Sequence, residues 1–102
     1  MSEKKKYEIS CHFSSLENLQ TEKTLTYCVL EKGNDAIIVL KVATPTNNYY
    51  ESCLLPGTGF AYAKNIATLL CENCFDISTW KYVLDDIEVE YIVTESNMTQ
   101  VT

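Results

Sequence analysis

The chain lacks arginine entirely, so all eight of its basic residues are lysines. Arginine is the side chain that reads guanine and phosphate through paired hydrogen bonds, and it is enriched in the hot spots of protein interfaces. Fourteen acidic residues outnumber the lysines and give a formal net charge of −6. A chain with this charge and no arginine is poorly suited to grip phosphate groups, so we expect no nucleic-acid partner and no membrane binding.

Glycine and proline are also scarce, at three and two residues. Their scarcity excludes collagen-like and low-complexity sequence, and a hydrophobic fraction of 46% is too high for a disordered chain. A length of 102 residues suits one domain and not two. We therefore predict a single domain over residues 1–102, with frayed polar tails at about 1–5 and 95–102.

Long apolar runs are missing as well. The longest covers only residues 36–40, whereas a membrane-spanning helix needs roughly 20 apolar residues. The basic N-terminal segment is followed by alternating rather than continuous apolar residues, which is not the pattern of a secretory signal. Five cysteines are an odd number, which fits a reducing compartment better than a disulfide framework. These features predict a cytoplasmic protein.

Strand patterns occupy the first half of the chain. Apolar residues alternate with polar ones in 6–13, β-branched and aromatic residues dominate 24–31 and 36–43, and 49–55 follows a cluster of turn residues. Gly33 and Asn34 both tolerate the positive φ of a tight hairpin turn, so 24–31 and 36–43 are predicted to pair antiparallel. Because residues 36–40 are apolar on both pleat faces, we expect this strand at the centre of the sheet.

A helical period replaces the alternation after Gly59. Apolar residues recur along one side of 59–73 and again, at i, i+3, i+4 and i+7, in 79–87. Alternation returns in 88–94 and predicts a closing strand. The predicted fold class is α+β: an antiparallel sheet of three to five strands, a meander at its N-terminal side, packed by a main helix at about 59–73 and a short second helix at about 79–87.

Few residues suggest chemistry. Cys71 and Cys74 have the Cys-x-x-Cys spacing of redox and zinc sites, but they fall at the C-terminal end of their helix, where the dipole disfavours a thiolate. They lie on its apolar side and no second close pair completes a zinc site, so we interpret them as core residues. His12, the only histidine, shares a strand face with polar neighbours and is interpreted as a surface residue. The sequence predicts no catalytic site, no metal site and no cofactor.

The negative charge is concentrated in the last third of the chain. Residues 1–71 are neutral overall, whereas 72–102 contain seven acidic residues against Lys81 alone. An acidic end steers a basic protein toward it, although a solvated acidic face needs no partner. The carboxylates assigned to a candidate partner-binding surface are Asp85, Asp86, Glu88 and Glu90.

Tyrosine is abundant, at seven residues. Tyr49 and Tyr50 are neighbours on a strand, so they point to opposite faces, and Tyr82 is expected on or beside the polar side of the second helix. An exposed tyrosine combines an apolar ring with a polar hydroxyl and is a frequent anchor of protein interfaces. All three tyrosines are therefore candidate partner contacts. The alternative is that their rings cover the core while their hydroxyls reach water.

These observations favour a small intracellular protein that is not an enzyme and that acts by covering a partner's surface, as an adaptor, an inhibitor or an immunity-type protein does. A basic protein suits the charge, and an unpaired sheet edge offers a docking site for a second copy of the chain. The alternative function is a small-ligand-binding regulatory domain, with a cavity between helix and sheet or a site at the helix start near 57–59.

Overall fold

The structure, a computed structural model, describes residues 5–13 and 22–96. Five strands and two helices follow one another along the chain: β1 (Lys6–Phe13), β2 (Lys23–Lys32), β3 (Asp35–Ala43), β4 (Asn48–Leu55), α1 (Phe60–Glu72), α2 (Trp80–Asp86) and β5 (Ile92–Ser96). The predicted α+β class is confirmed, including the closing strand. Most of the tails predicted at about 1–5 and 95–102 lie outside the described residues, and β5 extends to Ser96.

The five strands form one antiparallel sheet in which every strand pairs with its neighbours in the chain, in the order β1-β2-β3-β4-β5. β3 is the central strand, as its apolar sequence predicts. The turn between β2 and β3 brings Lys32 opposite Asp35, and of its two central residues only Gly33 has a positive φ, of 60°. Positive φ at the first central position is the pattern of a type II′ turn, whose twist matches that of the flanking strands. The predicted hairpin is confirmed.

One face of the sheet is covered by both helices, and the hydrophobic core lies between them and the strands. In β2 the core side chains come from alternate residues, Leu25, Tyr27 and Val29, and none of the three is accessible to solvent. The helices contribute further fully buried side chains: Ala63, Ala67 and Leu70 from α1, and Trp80 and Leu84 from α2. This layer fixes the orientation of α2, on whose outer side the candidate site lies.

Both helices end in a Schellman turn, in which the residue after the C-cap adopts a left-handed conformation. Those residues are Cys74 after α1, with φ of 52°, and Glu88 after α2, with φ of 59°. The N–H groups bond back at 3.0 Å, Phe75 to Leu70 and Cys74 to Cys71 in the first turn, and Val89 to Leu84 and Glu88 to Asp85 in the second. Because a left-handed residue cannot begin an extended strand, β5 starts at Ile92, four residues later than 88–94 predicts.

In the part of the chain that the structure describes, no helix packs on the opposite face of the sheet, which we call the open face. Leu30, Ile37 and Leu54 lie side by side across β2, β3 and β4 on this face, and all three are partly exposed. Lys41 and Tyr50 form a more polar pair further along β3 and β4. Neither helix in the described part of the chain has the length and apolar character that crossing a membrane requires.

Candidate functional site

The outer side of α2 presents a tyrosine and two carboxylates together. Tyr82, Asp85 and Asp86 are spaced i, i+3 and i+4, which makes them neighbours on a helix surface. Tyr82 is 69% exposed, and both aspartates are exposed. Glu88 and Glu90, in the turn between α2 and β5, are exposed too. We call Tyr82, Asp85, Asp86, Glu88 and Glu90 the acidic α2 surface.

Among the described residues, no ion pair neutralises the carboxylates of the acidic α2 surface. Lys81 is the only lysine after residue 71, and its ammonium group donates a hydrogen bond of 3.0 Å to Glu51, a buried residue of β4. Within residues 5–13 and 22–96, no salt bridge reaches the four carboxylates of the surface. The four carboxylates therefore face solvent within residues 85–90, where they create a local negative potential.

A concavity of about 270 Å³ adjoins the acidic α2 surface. Its lining residues are Ile77, Ser78, Lys81, Tyr82, Asp85 and Tyr91. Partial burial and the nearby Asp85 carboxylate raise the pKa of Tyr91, so its hydroxyl remains a hydrogen-bond donor across the neutral range. The concavity thus combines aromatic rings, an acceptor carboxylate and a donor hydroxyl, which is the kind of pocket that receives one anchoring side chain of a partner protein.

Tyr49 and Tyr50 lie apart from the acidic α2 surface. Tyr50 is on the open face opposite Lys41, whereas Tyr49 is on the helix-covered side and packs, half-buried, against the core. Partial burial and the neighbouring carboxylate of Glu95 raise the pKa of Tyr50. The structure therefore places Tyr82, Asp85 and Asp86 on one side of α2, with Glu88 and Glu90 exposed in the turn that follows, and leaves these two tyrosines elsewhere.

A second concavity, of about 360 Å³, lies where β2, β3 and β4 pass beside one another, and Tyr50 lines it. The other lining residues are Thr24, Thr26, Lys41, Val42, Ala43, Asn48 and Tyr49. A lysine, two threonine hydroxyls and an aromatic ring are thereby brought together at one end of the open face. Between the helices and the sheet, where the alternative function places a ligand, Leu70 and Trp80 are both inaccessible to solvent.

Glu51 is a buried carboxylate that the sequence reasoning missed. It is only 4% exposed, and both of its oxygens are occupied: Oε1 accepts the indole N–H of Trp80 at 2.9 Å, and Oε2 accepts from Nζ of Lys81 at 3.0 Å. The hydrogen bond to Glu51 raises the pKa of Lys81, which keeps its ammonium group charged. These bonds hold the start of α2 against β4 and so position the acidic α2 surface. The sequence does contain a signal for the burial of Glu51, since it shares its strand face with the apolar Cys53 and Leu55.

Three thiols meet where β1 passes the end of α1. The Cys11 thiol donates to Sγ of Cys74 at 3.1 Å, and Cys71 lies nearby at the end of α1. Cys71 is 8% exposed and Cys74 is half-buried against the core, which agrees with their interpretation as core residues. Cys11 is the partner that spacing along the chain does not reveal. Among the residues that the structure describes, no group of three or more histidine, cysteine or acidic side chains is arranged to hold a metal ion.

His12 is exposed, as predicted for a surface residue. Its Nδ1 lies 2.8 Å from the hydroxyl of Thr24, and its Nε2 lies 3.4 Å from a carboxylate oxygen of Glu22. These contacts place it on the open face, across the sheet from the three thiols.

Comparisons of the chain with protein-family models, with curated proteins and with solved structures found no match. Function is therefore inferred from the geometry and charge of the chain's own residues.

Proposed function

We propose that this chain is a small intracellular, non-catalytic protein-interaction module that binds a basic partner through the acidic α2 surface. It would act as an adaptor, an inhibitor or an immunity-type protein acts, by covering part of the partner. The five cysteines are free thiols, which fits a reducing compartment such as the cytoplasm.

The observation that carries this proposal is the position of Tyr82 next to carboxylates that form no salt bridge with any residue in 5–13 and 22–96. An aromatic side chain that is 69% exposed removes apolar surface from water only when something covers it. The unneutralised charge of Asp85, Asp86, Glu88 and Glu90 favours a basic partner and speeds its approach. Hot spots pair a central aromatic anchor with a polar rim, and the acidic α2 surface has both parts.

Capture experiments with three variants test the proposal. The tagged protein is used to recover partners from extracts of the cells that produce it, and the recovered proteins are quantified by mass spectrometry. We expect Tyr82→Ala to reduce recovery of the specific partner about tenfold or more. The fourfold amide variant Asp85→Asn, Asp86→Asn, Glu88→Gln and Glu90→Gln is expected to reduce it by about tenfold and to weaken its dependence on salt.

A matched control variant also removes four negative charges, but at positions outside the acidic α2 surface. It carries Glu→Gln at four exposed positions outside the acidic α2 surface: Glu8, Glu22, Glu72 and Glu95. Recovery is expected to stay within about twofold of the parent chain, because distant surface charges act weakly in salt. If the control lowers recovery as much as the fourfold amide variant does, or if no variant changes it, partner binding through the acidic α2 surface is wrong.

A second candidate function is small-ligand binding in the open-face concavity. Its volume of about 360 Å³ lies at the lower end of the range for ligand pockets, and Lys41 and Tyr50 supply polar contacts that would orient an anionic or hydroxylated molecule. A thermal-shift screen of metabolites tests this candidate, with Lys41→Met and Tyr50→Phe as variants. A ligand that raises the melting temperature of the parent chain but not of either variant would support it.

A homodimer through the outer edge of β5 is a further proposal about partners. All five residues of β5 are exposed, and the apolar Ile92 and Val93 are 50% and 44% exposed. Exposed apolar edge strands pair readily with a second strand. Val93→Lys should convert a dimer to a monomer in light scattering, and a parent chain that is monomeric at all concentrations would refute the proposal.

A further inference from the structure

Cys11 and Cys74 are 63 positions apart in the chain, yet their sulfur atoms lie 3.1 Å from each other. β1 brings Cys11 to the helix-covered face of the sheet, in register with Leu25, and the Schellman turn after α1 brings Cys74 beneath it. A disulfide places its sulfur atoms about 2.05 Å apart, so a movement of about 1 Å would join these two. We propose that Cys11 and Cys74 are a reversible oxidation site, at which a disulfide ties the edge strand β1 to the end of α1.

The backbone at Cys74 is consistent with this assignment. Cys74 occupies the left-handed position of the Schellman turn with φ of 52°, where glycine is the usual residue because a Cβ atom is strained there. Cysteine also lacks the short polar side chain with which asparagine or aspartate relieves that strain. Strained positions cluster at functional sites, although the left-handed Glu88 after α2 shows that the strain alone assigns no task. Here the strained position presents a thiol to a second thiol.

The oxidation consumes two thiols and one two-electron oxidant, for which we name a hydroperoxide. In the first step the sulfur of Cys74 attacks the O–O bond, becomes a sulfenic acid, and releases an alcohol, or water from hydrogen peroxide. The sulfur of Cys11 then attacks the Cys74 sulfur, the S–S bond forms, and the sulfenic oxygen leaves as water with the Cys11 proton. Two electrons have moved from the two sulfurs to the two oxygens of the peroxide.

The surroundings of Cys11 give it the second role. Burial, followed by the neighbouring thiols Cys74 and Cys71, raises the pKa of Cys11 to about 12, so it is a protonated thiol at neutral pH. A protonated thiol reacts slowly with free peroxide, whereas the contact of Cys11 with Cys74 places it to condense with a sulfenic acid formed there. The site should therefore oxidise more slowly than an exposed cysteine and form little intermolecular disulfide.

Peptide mapping after exposure to hydrogen peroxide tests the proposal. The oxidised chain is alkylated without reduction and digested with trypsin and with a protease that cleaves after glutamate, since Glu72 separates Cys71 from Cys74. We expect the intact mass to fall by about 2 Da and one cross-linked peptide to contain Cys11 and Cys74. The melting temperature should rise by about 5–15 °C and return to its starting value with dithiothreitol, because the bond closes a long loop.

Three serine variants distinguish this site from general thiol oxidation. Cys74→Ser should lose both the cross-link and the rise in melting temperature. Cys71→Ser and Cys28→Ser should each keep the cross-link and the rise in melting temperature. Cys28→Ser is the control, because Cys28 is buried in β2, away from the other two sulfurs. A main product that joins Cys71 to Cys74 or that links two chains would overturn the proposal, and so would a cross-link that persists in Cys74→Ser.

Discussion

Replacing Glu51 tests how α2 is held against the sheet. We consider two variants: Glu51→Gln keeps an acceptor for the indole N–H of Trp80 but removes the charge that Lys81 binds, and Glu51→Leu removes both hydrogen bonds. The comparison therefore separates loss of the carboxylate charge, which weakens both hydrogen bonds, from loss of the acceptor for the indole N–H of Trp80.

The expected magnitudes follow from burial. A hydrogen bond to a charged group contributes about 1.5–3 kcal/mol, but the Lys81 side chain is 35% exposed and water partly replaces its partner. We therefore expect Glu51→Gln to lower the free energy of unfolding by about 1–2 kcal/mol. Glu51→Leu also leaves the N–H of Trp80 unpaired, and this residue has no accessible surface, so its total loss should be about 2–4 kcal/mol.

Urea unfolding followed by tryptophan fluorescence measures both losses, because Trp80 is the only tryptophan and is fully buried in the folded state. Glu72→Gln is the control, since Glu72 is exposed at the end of α1 and its change should stay within about 0.5 kcal/mol. A loss from Glu51→Gln no larger than that of the control would refute the reasoning. Equal losses from Glu51→Gln and Glu51→Leu would show that retaining an acceptor for the Trp80 N–H adds no stability.

Three further results are expected. At the left-handed position 74, Cys74→Gly should be more stable to urea than Cys74→Ala by about 1 kcal/mol, and the opposite order would contradict the strain assigned to it. Tyr27→Phe should lower the free energy of unfolding by about 1–2 kcal/mol, because the buried hydroxyl donates to the carbonyl oxygen of Phe75 at 2.6 Å; a neutral substitution would show that bond to be unimportant. Burial, and secondarily the Glu51 charge, raises the pKa of Cys53 from 9.0 to about 12. The stability that the protonated thiol contributes is therefore complete below pH 9.0 and is lost as pH rises toward 12. The free energy of unfolding should fall over this range by up to about 1.4 kcal/mol per pH unit. Cys53→Ala should flatten that decline in urea titrations, and an unchanged slope would contradict the assignment.

The elements of this fold were predictable because their signals are local. Gly33 marks the β2–β3 turn, and the spacing of apolar residues marks α1, since each depends only on neighbours within a few positions. The start of β5 was misplaced because Glu88 looks like part of an alternating strand, while its left-handed backbone is set by the C-terminal turn of α2.

The candidate site was predictable only where its residues are close in sequence. Tyr82, Asp85 and Asp86 share a helix face by spacing alone, so the acidic α2 surface follows from the pattern. The contact of Cys11 with Cys74 spans 63 positions and that of Glu51 with Trp80 spans 29, and each depends on strand register and helix placement. Those are set by packing across the whole domain, which single-residue patterns do not encode.

Native mass spectrometry tests the central claim most directly. The tagged chain is purified gently from the cells that produce it, together with the fourfold amide variant of the acidic α2 surface, and both are sprayed under conditions that preserve complexes. We expect a stoichiometric complex with a second, basic protein that is strongly depleted for the variant. A parent chain that appears only as a bare monomer, or a protein complex equally abundant for the variant, would contradict it.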